Sequence, residues 1–169
     1  MTNLFCLKYA PDEATSIGID PGANGAAACV TKKGETWAVD VFDFKKNESN
    51  GPSKLLRWML AHGREHVGKL SVTIEKVHST PQMGVVSAFT FGRNCGWLHA
   101  VIDISGYEFT QVTPQRWQGD CNCRTGGVKT VTHRAASEIV SSVDWVNKPP
   151  KVTHANADAI IIACWGLTK

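Results

Sequence analysis

Three acidic residues sit where a carboxylate has a role to explain. Asp20 ends the apolar stretch Ser16-Ile17-Gly18-Ile19 and opens a Pro21-Gly22 turn, and Glu75 ends Leu70-Ser71-Val72-Thr73-Ile74 in the same way. Asp158 lies inside Ala157-Asp158-Ala159-Ile160-Ile161-Ile162. A negative charge among such neighbours is costly unless something positive neutralises it, and a metal ion would do so. A carboxylate held at a strand end, with glycines on both sides, suits a divalent cation or a phosphate. Each acid also has a plainer reading: Asp20 as the cap of an Asp-Pro-Gly turn, Glu75 as a strand-end surface charge, Asp158 as the partner of a nearby Lys or Arg. Chemistry is favoured if all three arrive at one place, because perturbed carboxylates cluster at sites. His154 precedes Asp158 by four residues, so on a helix the two share a face near its entrance.

Positive charge gathers in one later stretch, at Arg116, Arg124, Lys129, His133 and Arg134, with Trp117 among them. Basic side chains interleaved with an aromatic suit phosphate contacts plus base stacking. The alternative is a merely solvated loop.

The elements that must position these groups are read from periodicity. Ile17 and Ile19 alternate as a buried strand leading to Asp20, and residues 25–31 and 36–42 predict two more strands joined by the hairpin Lys32-Lys33-Gly34-Glu35. Pro52 stands where a first helical turn begins, and Leu55, Leu56, Met59 and Leu60 recur at helical spacing until Gly63. Residues 70–75 alternate as a strand. Laid beside and parallel to the first, it brings Glu75 to the sheet edge that holds Asp20. From Pro81 to about residue 104 the pattern predicts a long helix, with Gly84, Ala88, Gly92, Gly96 and Ala100 at every fourth position. Each helical glycine costs about 1 kcal/mol relative to alanine, so a close approach to the sheet or to a second subunit is expected. Residues 107–112 predict a fifth strand, 119–127 a polar loop and 129–140 a helix. Pro149-Pro150 then breaks the chain before a last apolar helix that Thr153 can cap.

A chain of 169 residues is most simply one domain with a sizeable core; residues 1–14 read as an N-terminal extension and 15–169 as the domain. The formal net charge of +3 permits a polyanionic partner without demanding one. The six cysteines are scattered, with no C-x-x-C pair, so neither a zinc site nor a disulfide framework is expected and a reducing cytosol fits. No run nears the roughly 20 apolar residues of a membrane span, and no leader pattern opens the chain; a cytoplasmic protein is expected.

Taken together, Ile17 to Gly22, the strand-terminal Glu75, the glycine-striped helix, Val112-Thr113-Pro114 to Trp117 and the closing Ala157-Asp158-Ala159 helix resemble the RuvC family of Holliday junction resolvases. The likeness is to its short phage-type members and covers nearly the whole chain from about residue 15. It implies an α/β, RNase H-like fold: a five-stranded mixed sheet, three antiparallel then two parallel strands, flanked by helices. It also implies a homodimer that cuts a four-way DNA junction symmetrically with two Mg²⁺ or Mn²⁺ ions per site. Position by position, Asp20 matches the family's first acid, Glu75 its second and Asp158 its last. Many relatives have a carboxylate three or four residues before the last acid; here those positions hold Ala155 and His154, and His154 is the expected ligand. Asp20 would bridge both ions, Glu75 and Asp158 would complete the sites, and His154 would ligate one ion or orient the attacking water. Nitrogen ligation suits Mn²⁺ better than the harder Mg²⁺. Lys129 matches a basic position near the scissile phosphate, and His78 takes the place of an aromatic wedge. DNA contacts are expected from Arg116, Trp117, Arg124, Lys129, His133, Arg134 and His78. Two other classes fit parts of the sequence. One is a catalytically silent branched-DNA binding module; the other is an actin-like or sugar-kinase-related nucleotide-binding domain, whose duplicated core this chain is too short to supply.

Overall fold

The computed structural model describes residues 9–22, 24–47, 51–65, 70–128 and 130–169. Strands β1 (Glu13–Asp20), β2 (Ala26–Lys33) and β3 (Thr36–Asp43) come first, followed by helix α1 (Gly51–Glu65), β4 (Leu70–Glu75) and α2 (Val85–Ser105). β5 (Phe109–Val112), α3 (Pro114–Asp120), α4 (Thr130–Ser142) and α5 (Ala157–Gly166) complete the chain. The sheet order is β3-β2-β1-β4-β5. β1, β2 and β3 pair antiparallel, and β1–β4 and β4–β5 pair parallel. This is the five-stranded mixed sheet of an RNase H-like fold.

Side-chain alternation along the strands divides the molecule into two layers. Ile17, Ile19, Ala27, Cys29, Val72 and Ile74 point to one face, where Leu55 and Met59 of α1 and Leu98, Val101 and Ile102 of α2 cover them. Ala26, Ala28, Val30 and Val39 point to the other, against α3, α4 and α5. Of the residues in α5, every one but Asp158 is buried. Each fully buried isoleucine among Ile160, Ile161 and Ile162 contributes about 1.5–3 kcal/mol, which seats this helix firmly.

Several boundaries differ from the sequence expectation, each for a local reason. β1 begins at Glu13, inside the stretch read as an extension, and Lys32 ties the preceding residues down by donating to the Ala10 carbonyl (2.8 Å) and pairing with Asp12 (3.2 Å). α2 begins at Val85, because residues 81–83 form a turn in which the Met83 N–H bonds the Thr80 carbonyl at 2.9 Å. α5 begins at Ala157, not at Thr153. The buried Asn156 accepts from the Thr153 N–H (2.8 Å) and donates to the Lys151 carbonyl (3.1 Å), folding the approach into a turn. The glycine stripe of α2 does not lie against the sheet. Among the described residues nothing comes within 4 Å of where side chains at Gly84, Gly92 and Gly96 would start, and Val85, Val86, Phe89 and Ile104 on the same helix are exposed. Cys29 and Cys95 are free thiols. Among the described residues no helix is long and apolar enough to cross a membrane.

Candidate active site

β1 and β4 lie side by side and parallel, with Ile19 opposite Ile74, so the next residue of each strand, Asp20 and Glu75, ends at the same sheet edge. Both acids alternate onto the face covered by α5. α5 crosses that face with its backbone directly over Gly18: a Cβ there would collide with the backbone of Ala159 and Ala163. At the other end of the helix, a Cβ on Gly166 would meet Ser16 Oγ and Thr73 Oγ1. The helix therefore runs opposite to β1, and its first turn, with Asp158, reaches the strand ends that carry Asp20 and Glu75. A glycine at position 18 is what allows so close a crossing.

The three carboxylates feel one another. Glu75 has its pKa raised from 4.5 to about 7, first by burial and then by the charges of Asp20 and Asp158. The Trp117 indole opposes this by donating Nε1–H to Glu75 Oε1 at 2.9 Å. Asp20 also fills its plainer role, because its Oδ1 accepts the Gly22 N–H at 3.0 Å and so shapes the turn that follows. A site of several like charges with hard oxygen donors has the chemistry of a divalent-cation site. Among the described residues, no group of three or more His, Cys, Asp or Glu side chains is gathered closely enough to hold an ion as it stands, so binding one requires the acids to draw inward.

The remaining expected residues fall into three groups. His154 lies in the turn before α5, exposed, rather than on a helical face shared with Asp158; its ring stands 4.8 Å from that of His133 at the start of α4, and His133 Nε2 lies 3.3 Å from the Val152 carbonyl. Arg116, Arg124, Arg134 and His78 are exposed. Arg116 and His78 follow the carboxyl ends of β5 and β4, at the edge that holds the acids, and Arg116 lies 4.0 Å from Asp120. Lys129 lies outside the described residues. Trp117 departs from expectation: it is fully buried, so its ring is not available to stack on a base. Its actual place, as hydrogen-bond donor to the Glu75 carboxylate, was missed by the sequence reading. The available signal was general: a buried indole N–H needs an acceptor, but nothing along the chain named Glu75 as the one.

An RNase H-like domain with three acids converging at the carboxyl ends of adjacent central strands is thus the class that fold and site define. No family model and no curated protein matches the sequence. Solved structures do resemble it. Thermus thermophilus RuvC matches with a TM-score of 0.55 and 16% identity, covering 89% of this chain and 91% of that one. The same protein in complex with a Holliday junction substrate matches at 0.54 and 15%, covering 89% and 90%. The yeast mitochondrial Holliday junction resolvase Ydc2 matches at 0.54 and 11%, covering 97% and 84%. The fold is therefore RuvC-like.

Proposed function

We propose that this chain is a metal-dependent endonuclease that resolves branched DNA, four-way junctions above all. The observation that carries the proposal is the meeting of Asp20, Glu75 and Asp158, from three distant parts of the chain, at one edge of a RuvC-like sheet. Asp20, Glu75 and Asp158 would hold the ions, with Asp20 between the two sites. Two divalent cations about 4 Å apart would activate water and stabilise the departing oxygen. The protein's own work is placement: strands β1 and β4 fix two acids, and α5, pressed onto Gly18, fixes the third. His154 and His133 stand at the entrance to α5, where His154 would ligate one ion or orient the attacking water; its nitrogen favours Mn²⁺ over Mg²⁺. Arg116, Arg124, Arg134, Lys129 and His78 would contact phosphates, so binding would rest on residues other than the acids.

A two-fold symmetric junction calls for two sites in one assembly, which a homodimer supplies. The exposed α2 face supports this. Val85, Val86 and Phe89, at 86%, 80% and 74% exposure, lie beside Gly92 and Gly96, where a second helix could approach closely.

The test compares a mobile four-way junction with a linear duplex of the same sequence, in Mg²⁺ and in Mn²⁺. Paired cuts in the junction alone, lost in Asp20→Asn with junction affinity retained, support the proposal. That no three such side chains among the described residues are gathered closely enough to hold an ion as they stand favours a second reading, a silent branched-DNA binding module. Wild-type protein that binds the junction tightly and cuts it with neither metal would establish that reading instead.

A further inference from the structure

We propose that Trp117 is a positioning residue of the metal site, its indole N–H fixing one oxygen of Glu75 so that Oε2 is left to the pocket shared with Asp20 and Asp158. This rests on reading the three acids as a cation site. The Trp117 indole is a donor only, and it has one acceptor, Glu75 Oε1 at 2.9 Å. Because Trp117 is fully buried, no solvent molecule stands ready to replace Glu75 as acceptor of the indole N–H.

The helix that carries the indole is itself held at both ends. α3 follows directly from β5, whose Val112 lies opposite Glu75 in parallel register. At its far end Asp120 accepts from Trp165 Nε1 at 2.8 Å and stands 3.7 Å from Lys169 Nζ. Trp165 belongs to α5, so α3 is a strut between the strand that carries Glu75 and the helix that carries Asp158. Through it, the second and the last acid share one rigid reference. The hydrogen bond also favours the ionised carboxylate that a cation requires. Outer-shell partners of this kind typically change metal affinity by about 10- to 100-fold when removed.

The experiment titrates Mn²⁺ into the full chain and reads free Mn²⁺ by electron paramagnetic resonance. The proteins compared are wild type, Trp117→Phe, Glu75→Gln and the double variant, and junction affinity is measured in chelator alongside. Trp117→Phe is expected to weaken Mn²⁺ about 10- to 100-fold with junction affinity unchanged. Glu75→Gln and the double variant are expected to bind Mn²⁺ equally, since the indole then has no carboxylate to hold. A second measurement needs no substitution at position 117: Mg²⁺ added to the ¹⁵N-labelled wild type shifts one indole N–H resonance, and that shift is absent in Glu75→Gln. Wild-type Mn²⁺ affinity in Trp117→Phe overturns the proposal. So does an equal weakening in the Glu75→Gln background, or an indole spectrum that ignores Mg²⁺. A wild type that shows these couplings yet cuts no junction removes the nuclease reading and leaves the role of Trp117 standing. A wild type that takes up no Mn²⁺ overturns both.

Discussion

Replacing Glu75 by glutamine should stabilise the metal-free protein while abolishing the junction cleavage proposed for it. Burial and the charges of Asp20 and Asp158 raise the Glu75 pKa from 4.5 to about 7. The folded value lies above the unfolded one, so between those two pH values the folded chain holds a proton that the unfolded chain has released. The stability that this proton supplies is fully present below about pH 4.5 and is lost as pH rises through about 7. At about 1.4 kcal/mol per pH unit the interval from 4.5 to about 7 amounts to at most about 3.5 kcal/mol, and solvent screening of a partly exposed carboxylate reduces it. Glutamine keeps an oxygen for the Trp117 indole and carries no charge, so it escapes this loss. For a chain of this length 1 kcal/mol moves Tm by about 2–4 °C, so Glu75→Gln should melt about 4–10 °C above wild type at pH 8. At pH 5 the two should melt nearly together. Calorimetry in chelator from pH 5 to 8 measures this, and adding Mn²⁺ should raise the wild-type Tm more than that of Glu75→Gln. A gain that is absent at pH 8, or as large at pH 5, would refute the claim that three acids repel one another here.

Gly18→Ala forces a methyl group into the backbone of Ala159 and Ala163; overpacking of this kind costs about 1–3 kcal/mol or more, and because α5 carries Asp158, junction cleavage should fall further than stability does. Urea melts paired with cleavage rates check this, and near-wild-type values for both would show that α5 does not rest on Gly18. Phe89→Lys, on the exposed face of α2, should leave a folded monomer by sedimentation velocity and circular dichroism; an intact dimer would place the interface elsewhere. Asp40 accepts from Trp58 Nε1 at 2.7 Å and lies 3.1 Å from His62 Nε2, contacts that hold its pKa below the usual 3.8. Asp40→Asn should therefore cost about 1 kcal/mol at pH 6, discounted for exposure, and the difference should vanish as pH falls through the depressed Asp40 value.

Much of the arrangement of the three acids was legible along the chain because two of them end strands and the third breaks an apolar run. Asp20 and Glu75 close alternating strands, and a chain that alternates with period two can offer its last side chain to one face only. Asp158 stood out because it interrupts an apolar run. Boundaries were less legible where side chains bond to nearby backbone. Asn156 moves the start of α5 three residues on, and with it His154 leaves the helical face that spacing alone assigned. The glycine stripe of α2 was visible as a pattern, but a pattern of small residues does not name its partner, and the sheet is not it.

The sequence by itself determined the order of the strands and of the helices other than α3, the apolar faces and the candidate acids, since these follow from local periodicity and the cost of placing charge among apolar neighbours. Only the tertiary structure decided that Gly18 lets α5 descend onto β1, that Trp117 turns inward to Glu75 rather than outward to a base, and that three carboxylates share one field. Those facts depend on contacts between residues 42 to 145 positions apart, from Glu75 with Trp117 to Gly18 with Ala163, and no local pattern encodes which buried donor meets which buried acceptor.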